Sequence, residues 1–440
     1  MSKYQCVFDS PQSYPLSDDC YLQGCNPGLL RFLLSYLQQR EGQLTELYLC
    51  TPIYNNSFLH RALQKLAKRG VEVRIITRPI DSYPNTPPRW IVDLADQQPA
   101  FDTAKTPYQV ARDIFADQYK RPTERLRLQI FPHLAVRHTE GNPFAPGQQP
   151  YSLEVTALLC LFRGGGSVLF SSSDLHVGSG VREGHLLLEE NDWKLLQNTR
   201  RFFEELSRLA IDVQAFDFKH QYGDFEVPSL RLEQRLPVFF LAPFYHNSPS
   251  QAEAELIQRI RAAEQRVYVQ SPIANCYEYE VDGHFHSSLE DEIIEHFGFF
   301  RPVLERASIK ADVRFLTSSY PEGGKDLSPV ADEKAFTEFV RIAKATPSNQ
   351  LATLPHLGSS FLILDDQLIL SSSPFRPDVF VFLDQVRIQG FTAAESDGYR
   401  GIFSTTSLLW LVDEPSVVAA YRQHFEHQWE RALLRWQKPR

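Results

Sequence analysis

Four short β-rich runs occur twice along this chain in the same order, and a repeat of that kind leaves few folds open. Leu47–Ile53 (LYLCTPI) and Val267–Ile273 (VYVQSPI) lie 220 residues apart. Each follows an amphipathic stretch (Leu29–Gln39, Ala254–Ala263) and ends in Pro-Ile after Thr51 or Ser271. Val71–Thr77 (VEVRIIT) follows a helical run at His60–Arg69, and Ala311–Thr317 (ADVRFLT) follows one at Ile293–Arg306. Val168–Asp174 (VLFSSSD) pairs with Ile369–Phe375 (ILSSSPF). Each half closes with an apolar strand, His185–Leu188 or Leu408–Val412, and an aromatic-rich helix, Trp193–Leu209 or Pro415–Trp436. In the second of these helices Phe425, Trp429 and Trp436 fall on one face. Strands joined by helical crossovers predict a largely parallel sheet covered on both faces. The expected architecture is α/β, duplicated, with lobes at 1–225 and 226–440. Ile211–Pro237 reads as a polar linker. Pro84–Pro88, Pro143–Pro150 and Tyr320–Pro329 read as loops.

Composition narrows the class. At 440 residues, 43% hydrophobic and 22% charged, the chain can bury a large core, which excludes a disordered scaffold or a disulfide-stapled module. Its start shows no basic and apolar leader pattern, and no apolar run reaches the roughly 18 residues of a spanning helix. Six scattered cysteines suit a reducing compartment, so a cytoplasmic location is expected. A formal net charge of −9 disfavours a nucleic-acid partner, although a local basic groove stays compatible with it.

Metal and cofactor patterns are weak. Cys20-x4-Cys25, with Cys6 and Cys50, has no second close pair to complete a zinc site. His284-x-His286 near Glu290 and Asp291 is explained equally well by a polar loop leading into a helix. Gly164–Gly166 reads as a hairpin turn, and Gly323-Gly324-Lys325 lacks the rest of a phosphate-binding loop. No metal and no cofactor is expected.

The order of these segments resembles the phospholipase D superfamily. The residues carrying the likeness are Leu47–Arg78 (LYLCTPIYNNSFLHRALQKLAKRGVEVRIITR) and Phe361–Ser373 (FLILDDQLILSSS). The resemblance implies two similar lobes related by a pseudo-twofold axis, each a mixed, mostly parallel sheet flanked by helices. It also implies one His-x-Lys-x4-Asp motif per lobe, followed by Gly-Ser or Ser-Ser. In that chemistry one histidine attacks phosphorus while the other protonates the leaving oxygen and later activates water. The lysines hold the phosphate oxygens, and the aspartates fix the imidazole tautomer.

Neither motif survives in this sequence. In the second half Gly358 falls at the histidine position and Ser360 at the lysine position, while Asp365 and Ser371, Ser372 and Ser373 match. In the first half Tyr151–Phe162 is the aligned strand. Depending on the gap, Glu154 or Ala157 replaces the histidine and Thr156 or Leu159 the lysine, with no aspartate following. Ser171, Ser172, Ser173 and Asp174 stand for the serine run, and Glu183 for a glutamate that supports the catalytic histidine in the family. His356, two residues before the expected place, is the best displaced catalytic candidate, with Asp365 and Glu183 beside it. His133, His138, His176 and His185 also lie near the first-half segments. The nearest lysines are Lys120, Lys194 and Lys344, and Arg137, Arg163, Arg182 and Arg376 are the candidate positive charges.

Three functions remain open. One is a catalytically degenerate binding or scaffold protein acting through the inter-lobe cleft or a surface. The second is a divergent phosphodiesterase using displaced histidines, and the third a nucleic-acid-binding module. Glu154 and Asp365 facing a shared cleft would repel phosphate, so the expected partner is a protein segment or a non-phosphate ligand. The oligomeric state is not legible in the sequence.

Overall fold

The computed structural model describes residues 4–9, 27–80, 83, 107–131, 133–134, 153–173, 175, 183–216, 222–223, 237–241, 248–272, 278–281, 284–287, 311–317, 349–354, 357–373, 375 and 406–436. They form two compact units, one on an eight-stranded sheet and one on a seven-stranded sheet.

The first unit runs β1 (Tyr4–Asp9), α1 (Pro27–Arg40), β2 (Leu44–Thr51), α2 (Ser57–Lys68), β3 (Glu72–Thr77), α3 (Pro107–Lys120), β4 (Leu126–Ile130), β5 (His133–Leu134), β6 (Thr156–Phe162), β7 (Gly165–Ser171), β8 (Gly184–Glu190), α4 (Trp193–Leu209), β9 (Ile211–Asp212) and β10 (Tyr222–Gly223). Its sheet order is β1-β8-β7-β6-β2-β3-β4-β9, and β5 and β10 form a small ribbon. The second unit runs β11 (Val238–Leu241), α5 (Ser248–Ala262), β12 (Arg266–Ser271), β13 (Glu278–Val281), β14 (His284–Ser287), β15 (Asp312–Thr317), β16 (Asn349–Thr353), β17 (Ser360–Leu364), β18 (Gln367–Ser371), β19 (Ser407–Val412) and α6 (Pro415–Trp436). Its sheet order is β11-β19-β18-β17-β12-β15-β16, which repeats the first order except for the terminal β9.

Both sheets are mixed. Parallel pairing is confined to β2–β3–β4 and to β12–β15–β16. The other ladders are antiparallel, and in two of them two-residue turns at Arg163–Gly164 and Asp365–Asp366 fold the chain straight back. The mixed sheet expected of each half is therefore present, with its parallel part limited to three neighbouring strands in each unit. Gly164, at φ 118°, supplies the positive dihedral the first turn needs, whereas Gly165 and Gly166 lie within β7. The expected linker is also corrected at its start. Ile211–Asp212 adds to β4, and Val213 and Phe216 are buried in the first core. His284-x-His286 lies on strand β14, paired to β13, not on a loop entering a helix.

Register fixes the duplication residue by residue. Leu47 pairs with Val73 and Cys160, and Val267 with Val313 and Leu364. Thr156 faces Ser171, and Ser360 faces Ser371. The match extends to the packing over the sheets. In the first unit Arg74 lies over the Tyr48 ring, 5.3 Å from its centroid, and Tyr48 packs on Phe203 of α4. In the second, Arg314 lies 4.9 Å over Tyr268, which stacks on Phe425 of α6. Phe425 in turn stacks on Trp429, the pairing expected of the apolar face of this helix.

α2 starts three residues before the sequence expectation because Asn56 caps it. Its Oδ1 accepts from the N–H groups of Phe58 and Leu59, at 3.1 Å each. Its Nδ2 donates to the carbonyl of Leu175, whose φ of 55° places a bulky residue in the left-handed region. Asn56→Ala is expected to cost about 1–2 kcal/mol in denaturant unfolding of the first unit. Asn56→Asp keeps the acceptor and loses the donor, so it isolates the bond to Leu175.

Candidate functional site

The direction of the strands sorts every candidate to one of two sheet edges. Thr51, Thr77, Thr156, Ser171 and Asp9 sit at the carboxyl edge of the parallel strands in the first unit. Ser271, Thr317, Ser360 and Ser371 form the matching edge in the second. Register also settles the alternatives left by the sequence. Thr156 matches Ser360, so Glu154 matches Gly358, and Leu161 falls where Asp365 stands. Ala157 and Leu159 are excluded as the matched positions.

Asp365 is corrected by this placement. It sits in the β17–β18 turn at φ 52°, at the opposite edge from Ser360 and Ser371. Its carboxylate accepts from the backbone N–H groups of Glu264, Gln265 and Arg266, each at 2.8 Å. At about 3.3 Å per residue, seven residues of extended chain separate it from Gly358 by roughly 23 Å. It fixes the α5–β12 connection, cannot orient a group at the site edge, and does not charge that edge. Arg163, Lys120 and Lys194 likewise belong to the amino edge, at the β6–β7 turn, the end of α3 and the start of α4.

The serine runs build one turn twice. Ser171 Oγ donates to the Ser173 carbonyl and accepts the Ser173 N–H, and Ser371 does the same with Ser373. Ser172 Oγ accepts the N–H of His185, and Ser372 Oγ that of Leu408, at 2.9 Å each. These four hydroxyls are committed to backbone, which explains serine here without any ligand. Ser173 Oγ in turn accepts the Leu175 N–H. Asp174 and His356 lie outside the described residues, as do His138, His176, Arg137, Arg182, Arg376, Lys344, Cys20 and Cys25. His185 is fully buried on β8, its ring 5.6 Å from that of Phe170.

The two edges differ in charge. The first carries half-buried Glu154, buried Glu183 and buried Asp9, whose carboxylate accepts the Gly28 N–H at the start of α1. It also carries Arg78, 7% exposed, whose Nε donates to the Pro52 carbonyl at 3.1 Å. At the matched register the second unit has Gly358, Thr406 and Leu241 in place of the three acids. There, buried Ser359 accepts from Gln270 Nε2 at 2.7 Å, and Ser271 Oγ accepts the Phe375 N–H. Thr156 Oγ1 lies 3.3 Å from Thr51 Oγ1 across β6 and β2, a pair of buried hydroxyls at this edge.

Sequence reasoning missed Arg78 and the buried Tyr54–His60–Tyr83 group, because an arginine after a strand and aromatic residues in a loop carry no motif. Tyr54 Oη is 2.9 Å from His60 Nδ1, the Tyr54 N–H donates to Tyr83 Oη, and Tyr83 Oη is 2.5 Å from Thr77 Oγ1. Burial pushes the His60 pKa down to about 4, against the opposing field of the Asp117 carboxylate. The unfolded chain takes up this proton near pH 6.5 and the folded chain only near pH 4. Stability from neutral His60 is therefore complete above pH 6.5 and is lost as pH falls toward 4, by about 3 kcal/mol at most. His60→Gln is expected to flatten that part of the stability–pH profile measured by denaturant titration. Burial also raises the thiol pKa values of Cys50 and Cys160, so neither offers a thiolate nucleophile.

No protein-family model and no curated protein sequence matches the chain. Solved structures do match it. Polyphosphate kinase from Porphyromonas gingivalis aligns over 97% of this chain and 50% of its own length, with a TM-score of 0.50 and 10% identity. Phosphatidylserine synthase from Haemophilus influenzae Rd KW20 aligns over 91% of this chain and 84% of its own, with a TM-score of 0.52 and 11% identity. The chain thus spans half the length of the first of these. At such identities the shared property is the fold.

Proposed function

We propose that this chain, which has the phospholipase D superfamily fold, is a catalytically degenerate member of that fold that binds a partner and does not hydrolyse phosphodiesters. One observation carries the reading. At the two registers where the fold's histidine and lysine would stand, the chain has Glu154 with Thr156 and Gly358 with Ser360. A carboxylate and hydroxyls supply neither a phosphorus nucleophile paired with an acid nor cations for the developing charge. The first edge, which among the described residues has three carboxylates to one guanidinium, suits a neutral or cationic group or a protein segment. That polarity also disfavours nucleic acid, which needs clustered cations. The test is turnover of bis(p-nitrophenyl) phosphate, single-stranded DNA, RNA and phospholipid by nuclease-free protein. Turnover above the buffer rate would overturn the reading.

A second reading, a divergent phosphodiesterase, gains support from one detail. The Phe131 N–H donates to the Thr77 carbonyl at 2.8 Å, and the Leu354 N–H to the Thr317 carbonyl at 2.9 Å, so β4 and β16 end at the same register. Each end is followed in sequence by Pro-His: Pro132-His133 and Pro355-His356. The displaced candidate His356 therefore has a counterpart, His133, at the matching position of the first half.

A further inference from the structure

The loop Pro52–Asn56 joins β2 to α2 at the carboxyl edge of the first unit, and every one of its residues is buried. Arg78 and several uncharged groups hold it. The Pro52 carbonyl accepts from Thr77 Oγ1 at 3.2 Å and from Arg78 Nε. Thr51 Oγ1 donates to the Ile53 carbonyl and lies against Thr156. The Tyr54 N–H donates to Tyr83, and Asn56 ties the loop to Leu175 beyond the serine turn. The Tyr54 hydroxyl reaches His60 Nδ1, with the rings edge-to-face at 5.8 Å. His60 is 4% exposed, and its Nε2 makes no hydrogen bond within the protein. Nδ1 is occupied by a hydroxyl that stays neutral, since burial raises the Tyr54 pKa further. The charge that the ring feels from a packed element is the carboxylate of Asp117 on α3, which is exposed and so is screened by water.

We propose that His60 makes the Pro52–Asn56 loop an acid-sensitive latch on the carboxyl edge of the first unit. An imidazolium at this site is a buried cation whose counter-charge is exposed and screened by water, and such a group moves toward water instead of staying in place. Leaving takes the ring away from Tyr54 and lifts the first turn of α2. That turn carries the Asn56 cap, and through it the Leu175 bond. Opening therefore exposes Thr51 and Thr156, the buried hydroxyl pair at this edge. The device regulates the edge assigned above to partner binding and rests on that reading for its purpose, though not for its existence.

Hydrogen exchange followed by mass spectrometry on the full chain, corrected for the intrinsic pH dependence of exchange, tests the latch without any ligand. Amides of residues 53–62 are expected to lose at least tenfold protection between pH 7 and pH 4.5, while those of α4 keep theirs. His60→Gln, which cannot become a cation, should hold its protection at pH 4.5. Tyr54→Phe should open with acid as wild type does, because it keeps the ionising ring. Unchanged wild-type protection over this range would overturn the latch, as would the same loss in His60→Gln. If His60→Gln does not fold, the His60 ring resonance decides. A titration midpoint below pH 5 that coincides with the loss of protection supports the latch, and one near 6.5 refutes it. A latch that opens in a protein later found to bind nothing at this edge would sink the binding reading alone.

Discussion

Purified protein is expected to release no nitrophenol from bis(p-nitrophenyl) phosphate above the buffer rate. Removing a general acid or base costs about 10²–10⁴-fold, and removing preorganised charge stabilisation a further 10²–10³-fold. Both losses occur in both halves, so even partial compounding takes the rate below detection. Among the described residues, Lys120, Lys194 and Arg163 cannot compensate, since they belong to the opposite edge of their sheet. Arg78 alone supplies a buried positive charge among the described residues of the first edge, and a lone cation without a nucleophile binds but does not turn over. The histidine pair gives the sharp control. Activity that survives purification and falls at least a hundredfold in both His133→Ala and His356→Ala would establish the divergent phosphodiesterase. Activity indifferent to both substitutions would point to a contaminant.

Asp365→Ala is expected to destabilise the second unit by about 2–3 kcal/mol, because three backbone donors lose a charged acceptor in a single step. For a unit of this size that lowers its melting temperature by roughly 4–10 °C. The positive φ adds to the effect, since alanine tolerates the left-handed region less well than aspartate. Asp365→Asn keeps the dihedral preference and one acceptor oxygen, so it should lose less. Calorimetry on the full chain, resolving the second unit's transition, checks the order Ala below Asn below wild type. A substitution with no effect on melting that abolishes binding at the carboxyl edge would return Asp365 to the functional site.

Most of the fold was legible because its strands are short, apolar and repeated. Trp193–Leu209 and Pro415–Trp436 match their helices end to end, each entered through an acidic or turn-forming residue and closed by loss of period. The extent of the parallel part was not legible, because a helix between two strands and a two-residue turn leave similar apolar runs on either side. Only the register of Ser360 with Ser371 reveals the hairpin. The proposed site was read as a loss, on Gly358 and Ser360 in the sequence. Asp365 was misread because spacing along a strand says nothing about which edge a residue reaches. Thr51, Arg78, Tyr83 and His60 were invisible because their association depends on two separate chain segments converging.

The placement of the two buried thiols gives the first unit a chemical clock. Cys50 and Cys160 lie on adjacent strands, pairing with Ala157 and Leu47, and both are wholly sequestered from solvent. Their side chains stand on the faces of the sheet, so a thiol reagent reaches them only when the packing over β2 and β6 opens. Their labelling rate counts such openings of the unit that carries the charged edge, molecule by molecule and without any ligand or assay of function. Acid that merely unlatches the Pro52–Asn56 loop should leave that clock unmoved, whereas acid that unfolds the unit should set it running.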